Sequence, residues 1–261
     1  MTENPAQYGT IYSGRGPKGL SFFPGCTAHY LFPRIGEACD VVAAPVAGGL
    51  RVPQGLSCCG LAALSAGDMD EARRCARINI EALEPGSGPV LVSCASCYVH
   101  LLRYPTLFDD DPVWRGRAER LAARLLELSC FLDHHLPREK EAPSVEKNLR
   151  VFYHHPCHLR FGVQIMEEPR RLLGRHPGIQ LLELADGPEC CGQGGLFHIG
   201  SPEIAAAIRD SLATKVLAMN PDVITTSCSG CLLQWRMAMA AADSPVRVLH
   251  LAETLRLVKT E

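Results

Sequence analysis

Five cysteines, Cys26, Cys58, Cys59, Cys94 and Cys97, recur in the same order as Cys157, Cys190, Cys191, Cys228 and Cys231. The lone cysteine and the adjacent pair are separated by 31 residues in the first set and 32 in the second. Each pair is followed by a glycine, Gly60 or Gly192, and each set closes on a Cys-x-x-Cys. The offset between the copies drifts only from 131 to 134 residues, too regular for coincidence. Thiolates at such spacing are soft metal ligands. Zinc takes four thiolates in a tetrahedron, whereas each set offers five, two of them on successive residues whose side chains tend to diverge. A multi-iron cluster presents several metal corners and accepts five sulfurs. Iron–sulfur clusters are therefore the leading reading of both sets. Zinc in one of them stays open, and disulfides come last.

Composition agrees with metal before disulfide. The chain has 261 residues and 13 cysteines, an odd number. Its opening residues contain no apolar core of the kind that directs export, so clustered thiols are expected to face a reducing compartment. No apolar run is long enough to span a bilayer. A formal charge of −2 gives no reason to expect nucleic acid as a partner. A cytoplasmic protein follows as the expectation, held at the inner membrane, if at all, through partner subunits.

Elements must bring these sulfurs together, and the text between the cysteines repeats as well. Short apolar runs precede the cysteine groups: Leu20–Phe23, Leu50–Val52 and Val90–Val92 in the first half, then Val151–Tyr153, Leu181–Leu184 and Val223–Thr226. These read as buried strands of parallel sheets. Ser65–Glu84 and Pro202–Met219 read as the helices between them. The fold class is therefore α/β, with two pseudo-symmetric repeats, each a parallel sheet flanked by helices, and cysteines at strand C-termini. Helix N-termini there supply N–H groups and positive dipole ends to an anionic centre. The expected domains are 1–110 as the first repeat, 111–149 as a helix and linker, and 150–261 as the second repeat. The middle segment reads as one charged helix, Pro112–His134, and a polar linker, Pro137–Pro143. Val246–His250 reads as a last strand before a terminal helix.

Phe23-Pro24-Gly25-Cys26, Ser57-Cys58-Cys59-Gly60 and Ser93-Cys94-Ala95-Ser96-Cys97 carry a resemblance, as do His155-Pro156-Cys157-His158, Cys190-Cys191-Gly192-Gln193-Gly194-Gly195 and Ser227-Cys228-Ser229-Gly230-Cys231. Together they resemble the CCG-domain (cysteine-rich domain) family across nearly the whole chain. That family includes the lactate-utilisation and glycolate oxidase iron–sulfur subunits, the anaerobic glycerol-3-phosphate dehydrogenase iron–sulfur subunit and the heterodisulfide reductase catalytic subunit. The resemblance implies two clusters, of [4Fe-4S] type with a non-cubane geometry open, held by all ten cysteines. It also implies a flavoprotein dehydrogenase or a ferredoxin-type subunit as partner, since the chain lacks a CxxCxxCxxxCP run of its own.

Three functions follow as expectations. The first is an electron-transfer subunit for 2-hydroxy-acid (lactate or glycolate) oxidation. The second is reduction of a disulfide or heterodisulfide at a cluster. The third is a zinc-stabilised scaffold. No catalytic side chain is assigned. Cys39, Cys75 and Cys130 read as core thiols. His29, His100 and His158 each lie close to a ligand cysteine, but read as structural histidines, and His154-His155 read as the end of a strand. Gln193-Gly194-Gly195 lacks the lysine and spacing of a phosphate loop, and no dinucleotide fingerprint is present.

Overall fold

Strands rich in Val, Ile, Leu and Phe are stable when helices cover both faces of the sheet, and parallel strands need helical crossovers to supply that cover. The computed structural model describes residues 20–136 and 149–260. The chain divides between Phe131 and Leu132 into two compact units.

The first unit runs β1 (Ser21–Phe23), α1 (Cys26–Tyr30), α2 (Arg34–Ala47), α3 (Leu61–Ser65), α4 (Met69–Leu83), β2 (Val90–Val92), α5 (Ala95–Leu102), a 3-10 turn (Tyr104–Phe108), α6 (Pro112–Ala122) and β3 (Leu125–Glu127). The helix α7 (Leu128–His135) follows β3 directly. The three strands are parallel in the order β1-β2-β3, with Phe23 opposite Val92 and Val92 opposite Glu127. Phe22, Leu91 and Ile80 are fully buried between sheet and helices.

The second unit runs β4 (Leu149–His154), a π-helical turn (His158–Val163), α8 (Glu168–Gly174), β5 (Ile179–Leu182), α9 (Phe197–Gly200), α10 (Pro202–Leu217), β6 (Val223–Thr226), α11 (Ser229–Ala241), β7 (Arg247–His250) and α12 (Leu251–Thr260). Its four strands are parallel in the order β5-β4-β6-β7, with His154 opposite Thr226 and Thr226 opposite His250. Trp235 of α11 is the largest side chain in its core, edge-on to Phe152. The α/β class with parallel, helix-flanked sheets is thus the architecture of both units.

Four sequence expectations are corrected. Leu50–Val52 is not a strand: only Arg51 bridges Ser21, in parallel. Asp40 Oδ1 accepts the Leu50 amide at 2.6 Å, removing a ladder donor, and Pro53 has no N–H to continue. The long helix over Ser65–Glu84 begins at Met69. Gly67 at φ 81° breaks it from α3, and Asp68 caps α4 by accepting the Glu71 amide at 3.0 Å. The middle segment is not one helix. α6 ends at Ala122, and Leu125–Glu127 becomes β3 because the open edge of β2 needs a buried partner. Arg124 fixes the junction by donating to Gly88 O at 2.8 Å and to Leu83 O at 3.1 Å. The fourth correction concerns cysteine placement. Cys26, Cys94, Cys157 and Cys228 follow β1, β2, β4 and β6 closely, but both adjacent pairs lie on loops, and Cys190 comes eight residues after β5 ends. The expected linker Pro137–Pro143 lies outside the described residues.

β3–α7 matches β7–α12 and extends the repeat. Glu127 Oε2 accepts the Cys130 amide at 3.0 Å and the Ser129 hydroxyl at the start of α7. His250 Nδ1 accepts the Ala252 amide at 3.2 Å at the start of α12. A buried side chain at the strand end satisfies the first free N–H groups of the next helix in each case.

Candidate metal centres

In the first unit, Cys26 opens α1, Cys94 caps α5 and Cys97 lies one turn into it. The sulfurs of Cys26 and Cys58 are 3.4 Å apart. Contacts run on from Cys58 to Cys59, from Cys59 to Cys97 and from Cys97 to Cys94, so all five sulfurs form one continuous group. In the second unit Cys157 meets Cys190, Cys191 meets Cys231, and Cys231 meets Cys228. The first set thus forms one connected group of five, and the second forms a pair and a trio close enough that Cys191 acts electrostatically on Cys157 and Cys190. None of the thirteen cysteines is joined in a disulfide.

Glycines make this approach feasible. The Gly60 amide donates to Cys58 Sγ at 3.5 Å, and the Gly192 amide donates to Cys190 Sγ at 3.3 Å. Both glycines have positive φ, 89° and 80°. A Cβ at Gly192 would stand 2.6 Å from Ala205 O, and one at Gly25 would stand 3.0 Å from Cys97 Sγ. The backbone thus comes close to the sulfurs only because side chains are missing there.

A buried network holds the first adjacent pair. Asn79 of α4 accepts the Ser57 amide at 2.8 Å and donates to Cys58 O at 2.9 Å. Tyr104 donates its hydroxyl proton to Cys59 O at 2.7 Å and lies 3.1 Å from Asn79 Nδ2. Asn79 shares the buried face of α4 with Ala72, Cys75, Ala76, Ile80 and Leu83. A fully buried amide on that face was the available signal of this network.

Electrostatics tests whether the groups suit a metal. Hydrogen bonding to Cys59 and Cys94, then burial, pushes the Cys97 thiol far above its ordinary range, and Cys231 behaves likewise with Cys191 and Cys228. Two of the thiols that receive those hydrogen bonds, Cys59 and Cys191, are held low. Cys58 and Cys97 bring Cys59 to about 5, and Cys231, then the His154 ring, bring Cys191 to about 4. Packed thiols share protons because neighbouring anions repel one another. All five can be thiolates together only when cations replace the protons. A gathering of five sulfurs fits a multi-iron centre and exceeds zinc coordination.

The remaining candidates fall outside the sulfur groups. Cys39 and Cys75 are buried in α2 and α4. Cys130 is partly buried in α7. His29 and His100 are buried in α1 and α5, where His100 meets Tyr104 edge-on. His198 Nδ1 lies 3.0 Å from Gln193 Nε2 and 2.8 Å from Gly195 O, bracing the glycine loop. His154 is the strand end expected, and it also stands beside the second sulfur group. It is 2% exposed, and one of its ring nitrogens lies within 4.8 Å of the sulfurs of both Cys191 and Cys231. The repeat itself carried the signal, since Phe23 holds the matching place before Cys26.

The model of the cysteine-rich domain named CCG matches residues 20–102 and 151–236, the two segments that contain these groups. The chain belongs to the CCG family. Among its CCG relatives is lactate utilization protein A of Exiguobacterium sp., 30% identical over 90% of this chain and 96% of that protein. Another is a subunit of the fumarate reductase (CoM/CoB) of Methanothermobacter marburgensis, 30% identical over 93% of this chain but only 47% of the relative. A crystal structure of a hypothetical Helicobacter pylori protein shares the fold, with a TM-score of 0.64 at 9% identity. It matches 99% of this CCG chain, which spans about half of that protein (53%). No helix among the described residues is long and apolar enough to cross a membrane.

Proposed function

We propose that this protein is an iron–sulfur electron-transfer subunit serving lactate or a related 2-hydroxy acid, with one cluster in each unit. The ligands in this reading are Cys26, Cys58, Cys59, Cys94 and Cys97 in the first unit and Cys157, Cys190, Cys191, Cys228 and Cys231 in the second. The observation that carries it is the repeated five-sulfur group. The relatives named for lactate utilization, which match this chain along nearly their full length, supply the substrate class. When bound, [4Fe-4S] clusters would accept and release single electrons. The chain's own residues do the rest. Gly60 and Gly192 amides donate to sulfur, helix starts at Cys94 and Cys228 favour negative charge, and buried sulfurs keep water away. Cys190 is exposed and Cys157 partly so, which gives electrons an edge at the surface. The proposed partners are a flavoprotein dehydrogenase as donor and a ferredoxin-type subunit or other carrier as acceptor, in the cytoplasm.

Anaerobic purification with iron, sulfide and zinc analysis tests this reading. Two [4Fe-4S] clusters correspond to about eight irons per chain. Zinc without iron or acid-labile sulfide would replace it with the scaffold reading.

A second reading has one observation of its own. A cavity of about 310 Å³ lies beside the second sulfur group, lined by Tyr153, His154, His155, Arg170, Glu183 and Glu189. His155 Nε2 meets Ile165 O at 2.8 Å and its Nδ1 meets Arg170 at 3.1 Å, so the wall is braced and polar. A disulfide seated there would take two electrons from an external donor and two protons, yielding two thiols. Reduction of a disulfide by the isolated protein with an artificial donor favours this reading. Oxidation of a reduced flavoprotein without disulfide reduction favours the relay.

A further inference from the structure

The two sulfur groups match in ligands but differ in what surrounds them. Phe23 at the end of β1 is replaced by His154 at the end of β4. Leu61, two residues after Cys59, is replaced by Gln193 after Cys191. Val92, two before Cys94, is replaced by Thr226, and Leu101, four after Cys97, by Trp235. In each exchange a polar side chain stands where the first repeat is apolar.

All four leave a buried polar atom without a hydrogen-bond partner among the described residues: His154 Nε2, Gln193 Oε1, Thr226 Oγ1 and Trp235 Nε1. A buried polar atom without a protein partner is costly unless water or a bound group meets it, and these four cluster at matched positions around one centre. They are local to that centre. His154 lies within 4.8 Å of two of its sulfurs and sits opposite Thr226 in the sheet. Trp235 is edge-on to His154, with ring centroids 5.6 Å apart. A Cβ at Gly230 would be 3.3 Å from Gln193 Cγ and 3.9 Å from Cys228 Sγ, which places Gln193 beside that ligand.

We propose that a ring N–H of His154 donates a hydrogen bond to a ligand sulfur of the second centre, Cys191 or Cys231, and gives that centre the higher reduction potential of the two. This rests on the cluster reading above. Adding one electron to a cluster increases the negative charge on its sulfurs, and a donor aimed at sulfur favours the reduced form. Phe23 offers the first centre no such donor. His154 is a positioning and tuning residue, and the second centre is the electron sink of the pair.

The test uses the whole protein, purified anaerobically and titrated with dithionite and mediators while the paramagnetic signals are followed. Iron and sulfide analysis comes first, and a chain without them refutes the cluster reading before His154 is addressed. Wild type is expected to show two separated one-electron waves. His154→Phe, which copies the first repeat, is expected to keep its iron, shift the upper wave to more negative potential and leave the lower wave in place. His154→Asn, which keeps an N–H, is expected to fall between the two. Coincident waves in wild type, or an unmoved upper wave in a His154→Phe protein with full iron, would overturn the proposal. Loss of one cluster's iron from both variants would mark a merely structural residue and also overturn it. Should the Phe variant fail to fold, wild type labelled with ¹⁵N only in histidine decides. Weak nitrogen coupling on the upper-wave signal alone is expected, whereas none, or coupling strong enough for a directly bound nitrogen, refutes the hydrogen bond.

Discussion

At the scale of single residues, the proposed function rests on the ten grouped cysteines and the glycines beside them. Gly192→Ala forces a left-handed backbone onto a side-chain-bearing residue, which costs about 1–2 kcal/mol, and adds a 2.6 Å contact with the Ala205 carbonyl. Gly60→Ala meets Cys75 Cβ at 3.1 Å and Ala72 O at 3.2 Å, a milder approach. The second substitution is therefore expected to lose less iron than the first, as metal analysis of the two variants would read. Cys39, Cys75 and Cys130 are not members of the two repeated sets, although Cys75 is near enough to Cys58 to feel its charge. Replacing any of them by alanine is expected to leave iron content unchanged, with a stability loss of about 1 kcal/mol at the buried pair Cys39 and Cys75. Replacing Cys59 or Cys191 by serine is expected to remove most of the iron from its own centre. Unequal outcomes within the ten would redraw the ligand sets.

At the scale of elements, α4 and the turn after α5 hold the first adjacent pair through Asn79 and Tyr104. Tyr104→Phe leaves Cys59 O without its 2.7 Å donor, and Asn79→Leu unpairs the Ser57 amide and Cys58 O. Each is expected to cost about 1–3 kcal/mol in denaturant unfolding. The two residues touch, so a double-mutant cycle should show coupling of about 0.5 kcal/mol or more. Strict additivity would mean that they act separately. The strand–helix junctions offer a parallel case. Glu127→Ala removes the acceptor for the Ser129 hydroxyl and the Cys130 amide, and an expected loss of about 1 kcal/mol would be read from the same unfolding curves.

For the molecule as a whole, the proposed centres would link metal binding to folding. Each unit buries most of a five-thiol group whose members resist joint ionisation, so cations that bind only the folded chain stabilise it. Stripping metal with a chelator under anaerobic, reducing conditions is expected to lower the Tm by roughly 10 °C, if the centres contribute a few kcal/mol in a chain of this size. Reconstitution with iron and sulfide should restore it, and an unchanged Tm on metal removal would show that the sulfur groups fold without a centre.

The sequence by itself determined the sulfur groups, the doubled architecture and the α/β class. Ligands for one centre must recur at fixed distances along the chain, and buried parallel strands announce themselves as short apolar runs before helical stretches. Those signals are local. Only the tertiary structure decided that Leu125–Glu127 is a strand while Leu50–Val52 is not, because pairing depends on which sheet edge is open and which amides are already engaged. It likewise brought Asn79 and Tyr104 to the backbone of the first pair, across 21 to 45 residues of chain. It placed His154 against the sulfurs of Cys191 and Cys231, 37 and 77 positions away, and surrounded the second centre with polar atoms. Burial and long-range approach set those roles. The doubled cysteines announce two equal sites, and the packing around them makes the sites unequal.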